Sequence, residues 1–434
     1  MKVETTSFDV YPRIVPAGRE TEITISPLYD HARFGSPGKT EVRVLIFTAG
    51  GSVAQTTTTS PVVLQPDWTG GGMRVRYSFE IEQEYVLVVE ETSQETSKPR
   101  AFEFRLYALN EDLFHRRPYK GDLHMHSIRS DGNEAPAYVA GACRRIGLDF
   151  MALTDHRRYE PSLEAIRAYA GLALDLQMFP GEEVHPPENP VHIVNFGASF
   201  SVNAIFREEE PRYRAEVAAI AAGLADFPAG VDRYTYASCE WVYRQIRAGG
   251  GLGIFCHPYW FVRHRYDVPE ALTDLIFDRQ PFDALEVVGG YPRREFESNS
   301  LQVARYHEER ARGKRIPAVG VSDAHNIEGG ELFGWYFTLV FAETKGLPAL
   351  VQAIRDLYSV AVEAIPGEAP RAHGPFRLVR YAQFLLREVL PQHDALCLEE
   401  GRLMLAHAAG DPQAAAALSG LQGRTGRLYD HLWA

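Results

Sequence analysis

The sequence has few cysteines and no long apolar run, and both absences exclude classes of protein. Its four cysteines, Cys143, Cys239, Cys256 and Cys397, stand far apart in a chain of 434 residues and form no Cys-x-x-Cys pair. A disulfide framework and a thiolate metal site are therefore not indicated, and we expect buried free thiols. No stretch reaches the roughly 18 apolar residues of a membrane span, and the first residues lack a signal-peptide core. We therefore expect a cytoplasmic protein without a membrane partner.

Positive charge is also in short supply. Lys and Arg number 45 against 57 Asp and Glu, which gives a formal net charge of −12. Such a surface suits neither nucleic acid nor an anionic membrane, although a local basic pocket can still bind a phosphate. We expect a small-molecule substrate, and the sequence leaves homo-oligomerisation open. Gly-x-Ser-x-Gly and P-loop patterns are absent as well, so no serine or cysteine nucleophile is indicated.

Length and hydrophobic patterning predict more than one domain. The chain is too long for one compact core, and 45% hydrophobic with 24% charged residues is a globular composition. Residues 1–114 carry alternating segments, such as 41–47 and 85–90, separated by runs like Gly35-Ser-Pro-Gly. That pattern is typical of an antiparallel β-sandwich.

From residue 115 the pattern changes to short apolar strands that alternate with amphipathic helices. The predicted strands include 150–154, 252–256, 285–288 and 318–322. Such alternation over residues 115–358 predicts parallel strands with helices outside them. The charged and Ala-rich segment 207–233 interrupts it and is interpreted as a helical insertion near the pocket. Residues 359–434 are predicted to form a helical C-terminal extension.

Histidine and carboxylate clusters follow the predicted strands. They are Asp122-Leu-His124-Met-His126, Ser130-Asp131, Asp155-His156, Glu182-Glu183-Val-His185, His192, His257 and Asp323-Ala-His325. Neutral imidazole and carboxylate are preferred ligands of Zn²⁺, Mn²⁺ and Fe. Residues i and i+2 of a strand point to the same side, so His124 with His126, or Asp323 with His325, can bind one ion. Together the clusters predict one multinuclear metal site.

The order of these motifs resembles the PHP domain, the polymerase and histidinol phosphatase superfamily. The resemblance rests on Gly121-Asp-Leu-His-Met-His, Ser130-Asp-Gly, Thr154-Asp-His and Ser322-Asp-Ala-His, and it covers about residues 118–345. The preceding β-module and the segment from Gly181 to His192 are most similar to the CehA/McbA-like metallohydrolase branch. The resemblance implies an α/β fold, a distorted (β/α)7 barrel, with two or three divalent ions (Mn, Fe or Zn) at the carboxyl ends of its strands.

The resemblance also implies which residues bind each ion. The implied ligands of the first ion are His124, His126, Glu183 and Asp323. Glu183 would also bridge to the second ion, whose other implied ligands are His192 and His257. The implied ligands of the third ion are Asp131, His156 and His325. Asp131 stands where some family members have a histidine. His185 remains an alternative to His192, and Glu182 to Glu183.

Further residues are predicted to act in catalysis or to support the ligands. Asp323 and His257 are assigned catalytic as well as metal-binding roles. Arg157 and Arg158 directly follow a predicted ligand, and the pair Arg293-Arg294 follows another predicted strand. Either pair could hold a phosphate by bidentate hydrogen bonds, and solvated surface arginines are the alternative.

Two aspartates beside the ligands are expected to have a supporting role. Asp122 and Asp155 precede predicted ligands by two positions and one. We expect each either to orient a ligand by accepting an imidazole N–H or to cap a helix.

The predicted function is that of a metal-dependent phosphoesterase. A metal-bridging hydroxide would attack the phosphorus of a small phosphorylated substrate without a protein nucleophile. The alternative is a metallohydrolase of carbon esters, amides or carbamates, because the same hydroxide can attack a carbonyl. A second alternative is a non-catalytic binding module, which the completeness of the ligand set disfavours.

Overall fold

The computed structural model describes residues 7–35, 40–50, 61–93, 100–329 and 331–434. They form a mixed α/β protein with several sheets and many helices. Two compact units divide the chain: a first unit of Met1–Arg116, Arg387–Val389 and Arg424–Ala434, and a second unit of Arg117–Leu386 and Leu390–Gly423. Residues 36–38 of the predicted Gly35-Ser-Pro-Gly separator lie outside the described residues.

The first unit is built from two sheets. Its elements within residues 7–116 are β1 (Phe8–Tyr11), β2 (Ile14–Pro16), β3 (Glu20–Pro27), a 3-10 helix (Asp30–Ala32), β4 (Thr40–Thr48), β5 (Val62–Leu64), β6 (Asp67–Thr69), β7 (Gly72–Ser78), β8 (Gln83–Ser93), β9 (Arg100–Leu109) and α1 (Glu111–Phe114). The sheet orders are β1-β3-β7-β6 and β2-β9-β8-β4-β5, and only the β2-β9 pair is parallel among these described strands. Ile23 and Val75 of one sheet share a core with Leu87 and Phe104 of the other, the packing of a β-sandwich.

The second unit holds the remaining strands and most helices. The elements from residue 117 onward are β10 (Arg117–Asp122), α2 (Pro136–Arg145), β11 (Phe150–Ala152), α3 (Glu160–Ala168), β12 (Gln177–Phe179), β13 (Gly181–Val184), β14 (Ile193–Phe196), α4 (Val202–Glu208), α5 (Glu210–Gly223), α6 (Arg233–Ala248), β15 (Leu252–Phe255), β16 (Phe261–Val262), β17 (Arg265–Tyr266), α7 (Glu270–Arg279), β18 (Ala284–Gly289), a 3-10 helix (Arg293–Glu295), α8 (Phe296–Ala311), β19 (Ala318–Val321), β20 (Tyr336–Ala342), α9 (Leu347–Arg355), β21 (Ser359–Glu363), β22 (Arg371–His373), α10 (Phe376–Glu388), α11 (Leu390–Ala408), α12 (Ala414–Ser419) and α13 (Arg424–Leu432), the last of which belongs to the first unit.

The strands of the second unit pair as two main sheets, β12-β11-β10-β20-β21-β22 and β13-β14-β15-β18-β19. Pro180 alone separates β12 from β13, so the chain passes directly from one sheet to the other. Elsewhere Gly320 N of β19 donates to Thr338 Oγ1 of β20 at 3.1 Å, which links the same two sheets. The named strands pair as two sheets, and isolated bridges between Met125 and Ala324 and between His156 and Glu183 connect segments of the one with segments of the other. The closed (β/α)7 barrel stays a prediction.

Strands β15, β18 and β19 are buried along their whole length. Apart from Glu286 of β18, their sequences are accordingly apolar runs rather than alternating ones, because both faces are covered. The three strands are parallel to their neighbours in the order β15-β18-β19. Their carboxyl ends therefore lie at one edge of the sheet, and the clusters of polar side chains follow there.

The region predicted as a helical C-terminal extension begins with two strands instead. β21 pairs antiparallel with β20, and β22 pairs with β21 at the edge of the sheet. Helix begins only at Phe376. The short run Ser359–Glu363 could not be recognised as a strand from its sequence alone. It is a strand because it pairs with β20, which lies before helix α9 in the chain.

The cysteine prediction is confirmed, because all four cysteines are buried and free. None of the helices in the described part of the chain combines the length and apolar character that a bilayer crossing needs.

Candidate metal centre

The predicted ligands follow the ends of strands in the second unit. β10, β15 and β19 end two residues before His124, His257 and Asp323 respectively, and Glu183 lies within β13. The same short interval after three strands places the three side chains beside one another at the strand ends. Five groups of potential ligand atoms lie close enough to hold an ion, and Glu183 belongs to three of them.

Glu183 lies at the centre of the cluster and is fully buried. Its Oε1 is 2.8 Å from His192 Nδ1 and 3.3 Å from His257 Nε2. Its Oε2 is 3.6 Å from the Nε2 atoms of both His124 and His126. Oε2 also contacts His156 Nδ1 and His185 Nε2. The two oxygens of one carboxylate thus face different sets of histidines, an arrangement that suits the bridging of two ions.

Asp323 contacts His124 and His126, two of the histidines that face Glu183 Oε2. Its Oδ1 is 2.9 Å from His126 Nε2 and 3.2 Å from His124 Nε2. Asp323 has a φ of +49°, and His257 and Arg157 have φ values of +29° and +59°. Side chains other than glycine rarely adopt such values, and backbone strain of this kind concentrates at functional sites.

A third group surrounds Asp131. Its carboxylate oxygens lie 3.3 Å from His156 Nε2 and 3.3 Å from His325 Nε2, and 3.9 Å from His126 Nδ1. The His126 and His325 rings are stacked with centroids 4.0 Å apart. The structure therefore brings together all nine residues that the resemblance implied as ligands.

His185, the alternative to His192, is also part of the cluster. Its Nε2 is 2.9 Å from His156 Nδ1 and 3.6 Å from Glu183 Oε2, and its ring stacks on His192 with centroids 3.8 Å apart. Both histidines thus contact the Glu183 carboxylate, and the choice between them as ligands stays a prediction.

Sequence reasoning missed two residues that contact the ligands. Glu286 Oε2 lies 3.4 Å from His124 Nδ1, on the face of the ring opposite the other ligands. Cys256, beside His257, forms a group of potential ligand atoms with His124 and His257. Burial raises the pKa of the Cys256 thiol well above its ordinary value, and its Sγ donates to His192 O. A carboxylate inside the fully buried strand Ala284–Gly289 was the signal that could have found Glu286.

Asp122 and Asp155 support the ligand segments, but not in either predicted way. Asp122 Oδ1 accepts from the backbone N–H groups of His124 at 3.2 Å and Ser322 at 3.1 Å. Asp155 Oδ1 accepts from Ser127 N at 2.9 Å and from the Ser130 hydroxyl at 2.7 Å. The expected imidazole contact or helix cap was wrong for both. Each aspartate instead holds the backbone of segments that carry ligands.

The buried donors and acceptors of this cluster fit divalent cations. His124 Nε2, His126 Nδ1, Glu183 Oε2 and His192 Nδ1 have no hydrogen-bond partner among the described residues. Such orphaned buried atoms are costly unless another group satisfies them. Imidazole nitrogens and carboxylate oxygens crowded around common points are the donor set of Zn²⁺, Mn²⁺ and Fe sites.

The charges within the cluster favour deprotonated carboxylates. Burial would raise the pKa of Glu183, but His192 and His124 outweigh it and hold that pKa well below its usual range. Burial would also raise the pKa of Asp323, but His124 and His126 outweigh burial and lower that pKa. Burial lowers the pKa of His126 to about 4. In contrast, Glu183 overcomes burial and raises the pKa of His156 to about 9. A cation must therefore displace protons from some histidines.

A cavity of about 850 Å³ opens beside the cluster. Its lining residues are Ser130, Asp131, His156, Arg157, Arg158, Glu160, His185 and Arg207. The predicted phosphate-binding pair Arg157 and Arg158 thus lines the cavity next to three members of the cluster. The other pair is engaged elsewhere, since Arg293 donates to Pro366 O at 2.8 Å and Arg294 to Glu295 at 3.2 Å.

The chain was compared with known families, curated proteins and solved structures. No family model matches it. DNA polymerase/3'-5' exonuclease PolX of Bacillus subtilis is 42% identical over 57 residues, which are 13% of this chain and 10% of the polymerase. The match thus spans about a tenth of the length of that relative.

Three solved structures are similar over larger parts of the chain. A two-domain protein from Bacteroides vulgatus with a predicted PHP-like metal-dependent phosphoesterase is 17% identical, with a TM-score of 0.39, 57% of this chain and 66% of that chain covered. A metal-dependent phosphoesterase from Bifidobacterium adolescentis is 20% identical, with a TM-score of 0.31 and coverage of 47% and 87%. An amidohydrolase from Chromobacterium violaceum is 22% identical, with a TM-score of 0.29 and coverage of 48% and 88%. The CehA/McbA-like branch stays a prediction.

Proposed function

We propose that the chain is a metal-dependent hydrolase and that its substrate is a small phosphoester. The observation that carries this proposal is the Glu183 carboxylate. Its Oε1 faces His192 and His257 at 2.8 and 3.3 Å, and its Oε2 faces a second set of histidines, namely His124 and His126 at 3.6 Å with His156 and His185 beside them. Burying a carboxylate costs desolvation free energy, and an apolar side chain would fill the same space at a lower free-energy cost. Packing alone therefore does not explain Glu183. Two adjacent cations explain it.

The residues that would hold the ions are those of the three groups. His124, His126, Glu183 and Asp323 would hold one ion, Glu183 with His192 and His257 a second, and Asp131, His156 and His325 a third. When bound, Mn, Fe or Zn ions would supply Lewis-acid activation of water and of a substrate oxygen. His185 contacts Glu183 from the cavity side.

The chain's own residues would then bind and orient the substrate. Arg157 and Arg158 line the cavity and would donate bidentate hydrogen bonds to phosphate oxygens. Asp323, which stays deprotonated beside His124 and His126, would accept a proton from water. His257, whose Nε2 lies 3.3 Å from Glu183 Oε1, would bind the second ion through that nitrogen, and a water held by a histidine of the cluster would protonate the leaving group.

Metal content and phosphate release test the proposal together. Protein purified without chelator is measured by elemental analysis, and phosphate release from a panel of phosphomonoesters and phosphodiesters is assayed with added Mn²⁺. We expect two to three ions per chain and turnover that is lost in His124→Ala. His307→Ala is the matched control, because His307 is an exposed histidine of the same unit outside the cluster.

The other outcomes contradict different parts of the proposal. Metal-loaded protein that leaves every phosphoester intact would overturn the phosphoesterase assignment, and aryl ester and carbamate panels would then test carbonyl hydrolysis. Protein that takes up no Mn²⁺, Fe²⁺ or Zn²⁺ would overturn the metal centre itself.

A further inference from the structure

We propose that Arg207 binds a second anionic group of the substrate, a carboxylate or phosphate distal to the ester that is cleaved, beside Arg157 and Arg158, which hold the phosphate of that ester. This inference rests on the proposed function, since it places the reacting ester at the metal centre. Arg207 lies in the helical insertion and no part of the proposed chemistry uses it. It makes the arginine side of the cavity a specificity site.

Arg207 is directed into the cavity and joins the other two arginines there. It lies near the end of α4, lines the cavity, and has its Nη1 3.4 Å from Arg157 O. Among the described residues, no ion pair involves Arg157, Arg158 or Arg207. Three guanidinium groups with no carboxylate partner therefore face one space in a chain with a net charge of −12.

The neighbouring arginines of the insertion show a contrasting arrangement. Arg212 pairs with Glu209 at 2.7 Å and with Glu216 at 2.9 Å. Arg214 pairs with Glu188 at 3.1 Å and with Glu210 at 3.3 Å. The insertion thus supplies acidic partners for these two arginines. Arg207, on the preceding helix α4, has no such acidic partner among the described residues and is available for a ligand.

The helix that carries Arg207 is attached to the strand of the bridging glutamate. Glu182 accepts from Val202 N at 2.5 Å and from the Ser201 hydroxyl at 2.7 Å, at the start of α4. Asn203 Nδ2 donates to Glu182 Oε2 at 2.9 Å and to Glu183 O at 3.0 Å. Asn203 is four residues before Arg207 on the same helix. The position of Arg207 is therefore set relative to the metal centre by buried hydrogen bonds.

The charge of the cavity exceeds what one phosphate requires. Glu183, Asp323, Asp131 and Glu160, which lines the cavity, supply four formal negative charges, and the three divalent ions of the proposed centre would outweigh them. A phosphate bound to those ions would already be largely neutralised, yet three arginines remain beside it. An additional anionic group balances these charges, and charge-assisted bidentate hydrogen bonds are the interaction for which Arg is suited.

The size of the cavity agrees with a substrate larger than phosphate alone. A volume of about 850 Å³ lies in the range of pockets that hold whole small-molecule ligands. Asp131, His156 and His185 of the candidate metal centre line this cavity together with the three arginines. One substrate can therefore contact the metal centre and the arginines through two separate groups.

Paired substrates test the inference. Metal-loaded wild type, Arg207→Ala and Arg212→Ala are assayed on phenyl phosphate and on 4-carboxyphenyl phosphate, and on propyl phosphate and 1,3-propanediol bisphosphate. The first pair tests a distal carboxylate and the second a distal phosphate. We expect wild type to prefer the substrate with the distal anion in at least one pair. Arg207→Ala should lower that preference in kcat/KM about tenfold, the loss of one charge-assisted contact, and Arg212→Ala should keep it.

Binding of non-hydrolysable analogues gives a readout that does not depend on turnover. Calorimetry compares phenylphosphonate with 4-carboxyphenylphosphonate on the same three proteins. The Kd ratio of the two should collapse towards unity in Arg207→Ala and persist in Arg212→Ala.

The two proposals fail in distinguishable ways. Phenyl phosphate turnover without any preference for a distal anion, or an equal loss on both members of each pair in Arg207→Ala, overturns the specificity site alone. Metal-loaded wild type that neither hydrolyses nor binds any of these compounds overturns the proposed function and this inference with it.

Discussion

Two adjacent glutamates of β13 have opposite surroundings because successive side chains of a strand point to opposite faces. Glu183 faces the histidines, with Oε1 2.8 Å from His192 Nδ1. Glu182 faces α4 and accepts hydrogen bonds from its first residues. Both side chains are fully buried. The same carboxylate group therefore has a proposed metal-binding role at Glu183 and a structural role at Glu182.

Isosteric amides at these two positions should have different effects. Glu183→Gln should remove at least one ion per chain and lower turnover by two orders of magnitude or more, because it removes the charge shared by two histidine pairs. Glu182→Gln should retain the ions but lower the free energy of unfolding by about 1–3 kcal/mol, since the new amide N–H faces donors at α4. Elemental analysis and chemical denaturation check both. Equal metal loss in the two variants would contradict this separation.

Glu286 provides a second prediction at the level of a single residue. Its carboxylate lies 3.4 Å from His124 Nδ1, the position of a group that orients a metal-binding imidazole through its other nitrogen. Glu286→Gln should weaken binding of the first ion by about tenfold to a hundredfold. Competition with a chelator of known affinity measures the change. An unaltered affinity would show that Glu286 has only a packing role.

At the scale of elements, helices α2 and α11 approach each other through glycines. A Cβ atom on Gly401 would lie 2.2 Å from Arg145 N, and one on Gly141 would lie 2.9 Å from Leu405 Cδ2. Such distances exclude a larger side chain unless the helices move apart. Close contact brings Arg144 Nε within 2.6 Å of Glu400 Oε2 across the same pair of helices.

Gly401→Ala should therefore destabilise the second unit, although alanine is the better helix former by about 1 kcal/mol. Overpacking typically costs about 1–3 kcal/mol, so the thermal midpoint should fall by several degrees. Gly223→Ala is the control, because nothing lies within 4 Å of its added Cβ at the end of α5. Its midpoint should stay the same or rise slightly. A similar rise in Gly401→Ala would contradict the close approach.

On the scale of the whole molecule, a buried charge network joins strand ends and helices of the second unit. His393 Nε2 of α11 lies 2.9 Å from Asp149 Oδ1, which is also 3.2 Å from Arg144 Nη1 of α2. Lys120 N of β10 donates to Asp149 Oδ2 at 3.1 Å. Burial opposes the charge of His393, but Asp149 outweighs burial and raises the pKa of His393 well above its ordinary value.

The raised pKa of His393 makes the stability of this unit depend on pH. Its contribution is fully present below the unfolded-state pKa of about 6.5 and is lost as pH rises towards the folded-state value. Between these values the free energy of unfolding should fall by up to about 1.4 kcal/mol per pH unit. Asp149 has a lowered pKa, so its own contribution is constant in this range.

Denaturation of metal-free wild type and His393→Gln from pH 6 to 9 checks this dependence. The difference between the two proteins removes the contribution of the metal-centre histidines, which both share. That difference should be largest at pH 6 and should shrink as the pH rises. A difference that does not vary with pH would show that His393 is neutral in the folded protein.

Residue types and their spacing by themselves determined the mixed α/β class, the buried free thiols and the inventory of candidate ligands. These features are local, because a period of two sets which side chains of a strand share a face. His124 with His126 could be paired from the sequence for that reason. The assignment of ions to these residues stays a prediction.

Only the tertiary structure decided which distant residues meet. Glu286 is 162 positions from His124, β21 finds its place by pairing with β20, and Arg207 reaches the cavity because Glu182 attaches α4 to the strand of Glu183. Each of these contacts depends on strand order and helix packing, which bring together side chains far apart in the sequence. Local pattern carries no information about such neighbours, since the same short segment can lie at any edge that offers a hydrogen-bonding partner.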